Sequence, residues 1–219
     1  MRTRRMLCGV GMVVALGLGA GCAHNDAKYA RAQGERVGEA FAEKVRFADQ
    51  LALLDQEQIA LGHLALERSS NSEVKRFARM LIRDHEGHLE ELRALADGEA
   101  YSLALVDLSS QDSATGGAGF EGAVKGVEKS ERGYDKKIDK QVRKFVDRRD
   151  KIASNTGADF DRAFLDQVKD DQKRGHDLVE EGLDDYRGDT SLALLLGRTT
   201  PVLQSHERQI DTLRGFIGH

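Results

Sequence analysis

The 219-residue chain lacks tryptophan, contains one proline and two cysteines, and has only 5% aromatic residues. It has no series of short alternating strands separated by turn residues, which argues against a β-sandwich, a barrel or a parallel-sheet enzyme. Apolar residues recur instead at helical spacing. The length and pattern therefore predict one all-α domain with additional segments.

Sequence signatures of common enzymes are also missing. The chain has no phosphate-binding loop, no Gly-x-Ser-x-Gly, no His-Glu-x-x-His and no Gly-x-Gly-x-x-Gly after a strand. It has no Glu-x-x-His pair either, which a ferritin-type di-iron centre requires on two helices. We therefore expect a protein without enzymatic activity and predict no catalytic residue.

The N-terminus resembles a bacterial lipoprotein signal peptide. Three early arginines precede an apolar run, residues 6–20, that is too short to span a bilayer, and small residues lead up to Cys22. Leucine is usual three places before such a cysteine, where this chain has Gly19. The resemblance implies that residues 1–21 are removed and that Cys22 carries a lipid. An ordinary cleaved signal and an uncleaved anchor are the alternatives.

Cleavage at this point would change both thiol content and charge. Cys8 would be lost and Cys22 acylated, which would leave no thiol for a disulfide or a nucleophile. The remaining chain would hold 30 basic and 37 acidic residues, a balance that argues against nucleic-acid binding. Because Ala23 rather than aspartate follows the cysteine, we expect an outer-membrane lipoprotein facing the periplasm, with residues 22–36 as its tether.

Four amphipathic segments predict a helical bundle, because each half-apolar helix must bury its stripe against the others. Ser or Asn in the segment before the second helix can cap its first amides. Pro201 should kink the last helix or start its main part. The predicted helices span residues 37–68, 72–97, 158–186 and 190–217 of a bundle domain covering 37–217.

An insertion, residues 98–157, separates the second and third bundle helices. Its first part, up to Gly119, has the composition of a flexible loop. Its second part, Phe120–Ala153, has the spacing of an extra helix. Residues 128–151 carry ten basic and six acidic side chains, a pattern typical of a solvated face. The alternative is a docking surface for an envelope polymer, lipid head groups or a protein partner.

Polar residues interrupt the apolar stripe of every bundle helix. His85, His88, His206, Asp171 and Gln58 all fall near the middle of the bundle if the helices rise by about 1.5 Å per residue. Three imidazoles and a carboxylate are suitable ligands for one transition metal, zinc, copper or iron. The sequence thus indicates a candidate metal site formed by the three histidines and Asp171.

The alternative is that these polar groups simply bond to one another and set the register of the helices. Further polar residues lie near the edges of the stripes, where we expect them to be solvated. These residues are Asp55, Glu57, His63, Asp84 and His176.

Several motifs together resemble the bacterial envelope family called domain of unknown function 4142. They are Leu61-Gly-His-Leu-Ala, the stretch from Ser72 to Asp84-His85, Phe160-Asp-Arg-Ala-Phe164, and Pro201-Val-Leu-Gln-Ser-His206. The resemblance covers roughly residues 45–97 and 158–216. It implies a ferritin-like four-helix bundle, often secreted or lipid-anchored, and no established activity.

The chain departs from the family pattern at two candidate ligand positions. It has Asp170-Asp171 where the family commonly has Asp-His, and Gln58 near a common glutamate. Only Asp84, His85 and His206 match the pattern. We therefore expect a structural or interaction role in the envelope, with metal storage, buffering or stress protection as the alternative.

Overall fold

The computed structural model describes residues 22–106, 108 and 134–217. All regular secondary structure in these ranges is helical, and no strand occurs in them. The helices are α1 (Cys22–Arg68), α2 (Ser72–Gly98), α3 (Tyr134–Ala153), α4 (Gly157–Asp185) and α5 (Thr190–Ile217). The all-α prediction is confirmed, and the predicted ends of α2, α4 and α5 agree to within one residue.

Helix α1 differs from its prediction, because it begins at Cys22 and not near residue 37. Residues 23–36 contain no proline and are rich in alanine and basic residues, which favour a helix where packing does not decide. The segment expected to act as a tether is therefore helical. The chain divides into two compact units, residues 1–42 and 43–219.

The first unit contains the N-terminal part of α1. Val37 and Phe41 lie one helical turn apart on this part and are 69% and 45% exposed. None of the helices within the described ranges is long and apolar enough to cross a membrane. Cys22 stands at the first position of α1.

Local interactions explain where two helices of the second unit begin. The Asn71 side chain accepts hydrogen bonds from the amides of Glu73 and Val74, so asparagine supplies the predicted cap of α2. Asp189 does the same for α5 by accepting from the Leu192 amide at 3.0 Å. Helix α5 continues through Pro201 as one element; Pro201 therefore does not mark its start.

The core of the second unit consists of two hydrophobic clusters. One combines the C-terminal half of α1, the N-terminal halves of α2 and α4, the C-terminal part of α5, and α3. The other combines α1 around Phe47 and Leu51, α2 around Leu89, α4 at Val179 and the N-terminal half of α5. On each of α1, α2, α4 and α5, some buried polar residues fall between the positions that belong to the two clusters: Asp55, Glu57 and Gln58 on α1, His85 on α2, Asp171 and Gln172 on α4, and His206 on α5.

The insertion is partly anchored to the bundle. Asp49 accepts a hydrogen bond from the Ala104 amide at 2.7 Å, and Gln56 accepts one from the Val106 amide. Val106 and Leu108 are buried. This stretch therefore follows α1 and does not match the predicted flexible loop. The rest of that loop and the predicted helical residues 120–133 lie outside the described residues.

Helix α3 buries one apolar stripe and exposes its charges. Ile138, Val142, Phe145 and Ile152 are buried, whereas Lys136, Lys137, Arg143 and Lys144 are exposed. This is the arrangement of an amphipathic helix packed on a core with a solvated charged face.

Candidate buried polar site

The structure brings His85 and His88 together on one acceptor. Both lie on the inner side of α2, three residues apart, and each directs Nδ1 toward the carboxylate of Asp55 on α1. The Nδ1 atoms of His85 and His88 are 2.8 and 2.7 Å from the two Asp55 oxygens. Because a carboxylate can only accept, both imidazoles donate from Nδ1. Asp55 therefore fixes the tautomer of each ring.

Asp55 is the residue for which the sequence-based expectation was most clearly wrong. It was expected to be solvated, but it is 2% exposed. Burial works to raise the pKa of Asp55, yet the hydrogen bonds and charges of His88 and His85 more than offset this and hold it below its ordinary value. Burial works to lower the pKa of His88, and the Asp55 carboxylate raises it overall.

Gln172 on α4 connects the histidines of two different helices. Its amide nitrogen lies 3.4 Å from His85 Nε2 and 3.2 Å from Gln58 Oε1. Its carbonyl oxygen lies 3.2 Å from Nδ1 of His206 on α5. Nε2 of His206 faces Asp84 Oδ2 at 3.2 Å. Through this one side chain, α1, α2, α4 and α5 share a continuous polar network.

Asp171 belongs to the opposite side of that network. It accepts hydrogen bonds from Gln58 and Gln167, both at 2.9 Å, and pairs with Arg174 at 3.1 Å. Burial raises the pKa of Asp171 against the effect of Arg174. The carboxylate therefore has amide and guanidinium neighbours, while the amides of Gln58 and Gln172 stand between it and the imidazoles.

A second buried carboxylate, Glu57, lies next to this end of the network. It too was expected to be solvated, but it is 2% exposed. It accepts a hydrogen bond from Arg174 and forms a looser ion pair with Arg148 of α3 at 3.5 Å. Burial raises the pKa of Glu57 to about 7, with Asp171 adding to the effect and the two arginines opposing it.

The predicted ligand set is thus only partly assembled. The structure places His85, His88, His206 and Asp171 in one network, but Asp171 bonds to Gln58, Gln167 and Arg174 and not to a histidine. Within the described ranges, no group of three or more histidine, cysteine, aspartate or glutamate side chains is arranged to hold a metal ion. The assignment of a metal to these residues stays a prediction. The expectation of solvation fits His63, which is exposed, better than Asp84 and His176, which are partly buried.

The sequence contained signals for the residues that were missed. Asp55 follows Leu51 by four residues and precedes Gln58 by three, which places it directly in the buried stripe of α1. Gln172 is four residues after Val168 and seven before Val179 in α4. The helical spacing therefore placed Asp55 and Gln172 on the inner faces of their helices, but their polar side chains suggested positions at the edge of the apolar stripe.

Two cavities adjoin the network. One, of about 340 Å³, lies between α2 and α5 and is lined by Asp84, His85, His88 and Arg198 among others. The other, of about 420 Å³, lies between α1, α3 and α4 and has Glu57 in its lining. Nε2 of His88 is buried and has no hydrogen-bond partner in the part of the chain that the structure describes.

Comparison with known protein families identifies a match over most of the chain. The family described as "Domain of unknown function (DUF4142)" matches residues 30–213, which include α2, α3 and α4 and most of α1 and α5. No curated protein matches the chain, and no solved structure does.

Proposed function

The chain belongs to the family of domain of unknown function 4142, and on that premise we propose that it acts as a membrane-anchored periplasmic lipoprotein with a non-enzymatic structural or interaction role in the cell envelope. The observation that carries this proposal is the buried polar network. Asp55, Gln172 and Asp171 direct their polar groups at other side chains of the protein. A network of this kind ties helices together and specifies their register.

The proposal includes a ferritin-like arrangement of α1, α2, α4 and α5, with α3 as an inserted helix. The distribution of the two core clusters supports it. The C-terminal half of α1 shares a cluster with the N-terminal halves of α2 and α4 and the C-terminal part of α5. This pattern corresponds to α2 and α4 running in the same direction, joined by a long crossover, as in ferritin-like bundles.

The anchoring part of the proposal depends on Cys22. Cys22→Ser should abolish fatty-acid labelling of the protein in cells, because no other residue of the signal would carry the lipid. Cys8→Ser is the matched control and should leave labelling unchanged. Labelling that persists in Cys22→Ser would contradict the anchor.

The interaction part of the proposal depends on the exposed cations of α3. Replacing both Lys136 and Lys137 with glutamate should reduce co-sedimentation of the protein with isolated cell-wall polymer, because the surface would repel an anionic partner. A double variant with Arg79→Glu and Arg208→Glu, two exposed residues of α2 and α5, makes the same change in net charge elsewhere. Equal effects of the two double variants would argue against a specific surface on α3.

Metal binding is a second candidate function, and one contact favours it. Gln172 Oε1 can only accept, so His206 Nδ1 must donate to it. In the neutral ring Nε2 then carries a lone pair, yet it faces the carboxylate of Asp84 at 3.2 Å. A cation between these two acceptors, a proton or a metal ion, would satisfy both. Burial and nearby His85 lower the pKa of His206 to about 4, which disfavours a proton in this role near neutral pH.

The geometry of this pair suits a metal ion completed by water. With metal–ligand bonds of about 2.1 Å, atoms 3.2 Å apart subtend an angle of roughly 100° at the metal. Stoichiometric zinc, copper or iron and a melting temperature lowered by chelator would support this second candidate. His206→Gln should abolish the chelator effect, and His63→Gln, at an exposed site, should retain it. No bound metal and no chelator effect would eliminate it.

A further inference from the structure

The cavity between α1, α3 and α4 contains an arginine whose main binding edge is unused. Nε and Nη2 of Arg148 are buried and have no hydrogen-bond partner among the described residues. Nη2 lies 3.5 Å from Glu57 Oε2, an ion-pair separation without a hydrogen bond. These two nitrogens form the side of the guanidinium that can grip a carboxylate or a phosphate with two parallel bonds.

Other arginines of the same protein show how this edge is normally used. Arg83 directs Nε and Nη2 to Asp84 at 3.0 and 2.8 Å. Arg149, next to Arg148 on α3, directs the same two atoms to Asp150 at 3.3 and 3.1 Å. Arg148 is unlike them in that its edge is inside a cavity and faces no acceptor at bonding distance. Leaving buried charged donors unpaired costs free energy, so this edge is suited to an external acceptor.

A second unpaired atom lies on the same side of α3. Gln141 is two turns before Arg148, and its Oε1 is buried and without a partner within the described ranges. Residues seven apart on a helix share a face, and both side chains line the cavity. The wall thus offers two donors and one acceptor, which calls for a ligand that both accepts and donates.

The charges around the cavity favour an anion at its inner end. Lys144 and Arg174 also line it. Glu57 is already bonded to Arg174. The other two acids in the lining, Asp177 and Glu181, are exposed, as are Lys144 and Arg174. Solvent and salt screen all four charges, so the preference for an anion rests on the buried edge of Arg148.

We propose that this cavity binds a small oxyanion, a carboxylate or a phosphate monoester, that carries a hydroxyl group beside the charged group. The oxyanion accepts from Nε and Nη2 of Arg148, with Lys144 as a second cation, and the hydroxyl donates to Gln141 Oε1. Leu53 and Leu178 supply an apolar wall. The volume of about 420 Å³ accommodates a ligand of a few carbon atoms. This inference does not depend on the lipid anchor or on the envelope role.

Calorimetric titration of the purified protein with lactate and with glycerol 3-phosphate tests the proposal and separates its two anion sources. At least one of them should bind saturably. Arg148→Lys keeps the charge but loses the two-bonded edge, so it should weaken that binding by about ten- to a hundredfold. Arg143→Lys is the matched control on an exposed position of α3 and should have no effect.

Gln141→Met tests the hydroxyl contact separately. It should weaken binding of lactate but not of propionate, which lacks the hydroxyl. Far-UV circular dichroism of each variant checks that the fold is retained. The proposal is overturned if neither ligand binds up to about 10 mM, or if Arg148→Lys binds as tightly as the unaltered protein.

Discussion

The shared carboxylate of Asp55 provides the most direct test of the buried network. Asp55→Ala would leave the Nδ1–H groups of His85 and His88 without an acceptor, since both bonds go to this one residue. Each unpaired buried donor costs about 1–3 kcal/mol. The substitution should therefore lower the free energy of unfolding by about 3–5 kcal/mol, the range found when one partner of a buried charged group is removed.

Asp55→Asn should cost less, for a reason specific to this site. The amide keeps one acceptor, but its NH₂ group requires a lone pair on the second imidazole. His88 can supply it by moving its proton to Nε2, which has no partner to lose. His85 would have to give up the contact of its Nε2 with Gln172. We expect a loss of about 1–2 kcal/mol and a tautomer change at His88 that nitrogen NMR can detect.

Urea unfolding followed by far-UV circular dichroism is the appropriate assay, because the chain has no tryptophan. Asp97→Ala, at an exposed position of α2, is the control and should change stability by less than about 0.5 kcal/mol. The reasoning would be refuted if Asp55→Ala matched this control, or if Asp55→Asn were as damaging as Asp55→Ala.

Three further predictions concern Glu57, His206 and Gly182. With the pKa of Glu57 raised to about 7 from 4.5, the folded chain keeps a proton that the unfolded chain has released, so stability falls as the pH rises through this interval. Glu57→Gln should remove about 3 kcal/mol of that fall between pH 5 and 8 in urea titrations, and an unchanged slope would contradict this. His206, with its pKa lowered to about 4, is protonated first in the unfolded chain, so stability is lost as the pH falls from 6.5 to 4. With chelator present, His206→Gln should reduce the loss of unfolding free energy between pH 6.5 and 4 by about 3 kcal/mol. If the variant and the unaltered protein lost equal stability over this pH range, the lowered pKa of His206 would be contradicted. A Cβ added to Gly182 would meet Phe47 Cζ at 2.2 Å, so Gly182→Ala should cost about 1–3 kcal/mol. Gly87→Ala is the control, because a Cβ there would have open space around it, and it should stabilise the protein by about 0.5–1 kcal/mol. Equal melting temperatures of the Gly182→Ala and Gly87→Ala variants would refute the clash.

The helix boundaries were predictable because they depend on local chemistry. The pattern of apolar residues marked the stripes, and Asn71 marked the start of α2 through its own side chain. The early start of α1 was missed because residues 22–36 have few apolar positions, so periodicity carried no signal there. The path of Val106 and Leu108 along α1 was missed because the acceptors that hold it, Asp49 and Gln56, are some fifty residues away in the sequence.

The candidate site was only half predictable. Helical spacing was enough to place His85, His88 and His206 in the interior, since the direction of a side chain follows from its position on the helix. Helical spacing could not identify the hydrogen-bond partners of these histidines, because the partners depend on which helix faces pack against each other. Asp171 was grouped with the histidines by its level in the bundle, but it bonds to Gln58 of α1 and to Arg174 of its own helix.

The amino-acid sequence alone determined that the chain is helical, where most helices begin and end, and which positions face inward, because these follow from short-range sterics and periodic burial. Only the tertiary structure decided that Asp55 holds two imidazoles, that Gln172 joins four helices, and that Arg148 faces a cavity without a partner. These features depend on the relative rotation and depth of packed helices, and a shift of one residue in packing would exchange every partner.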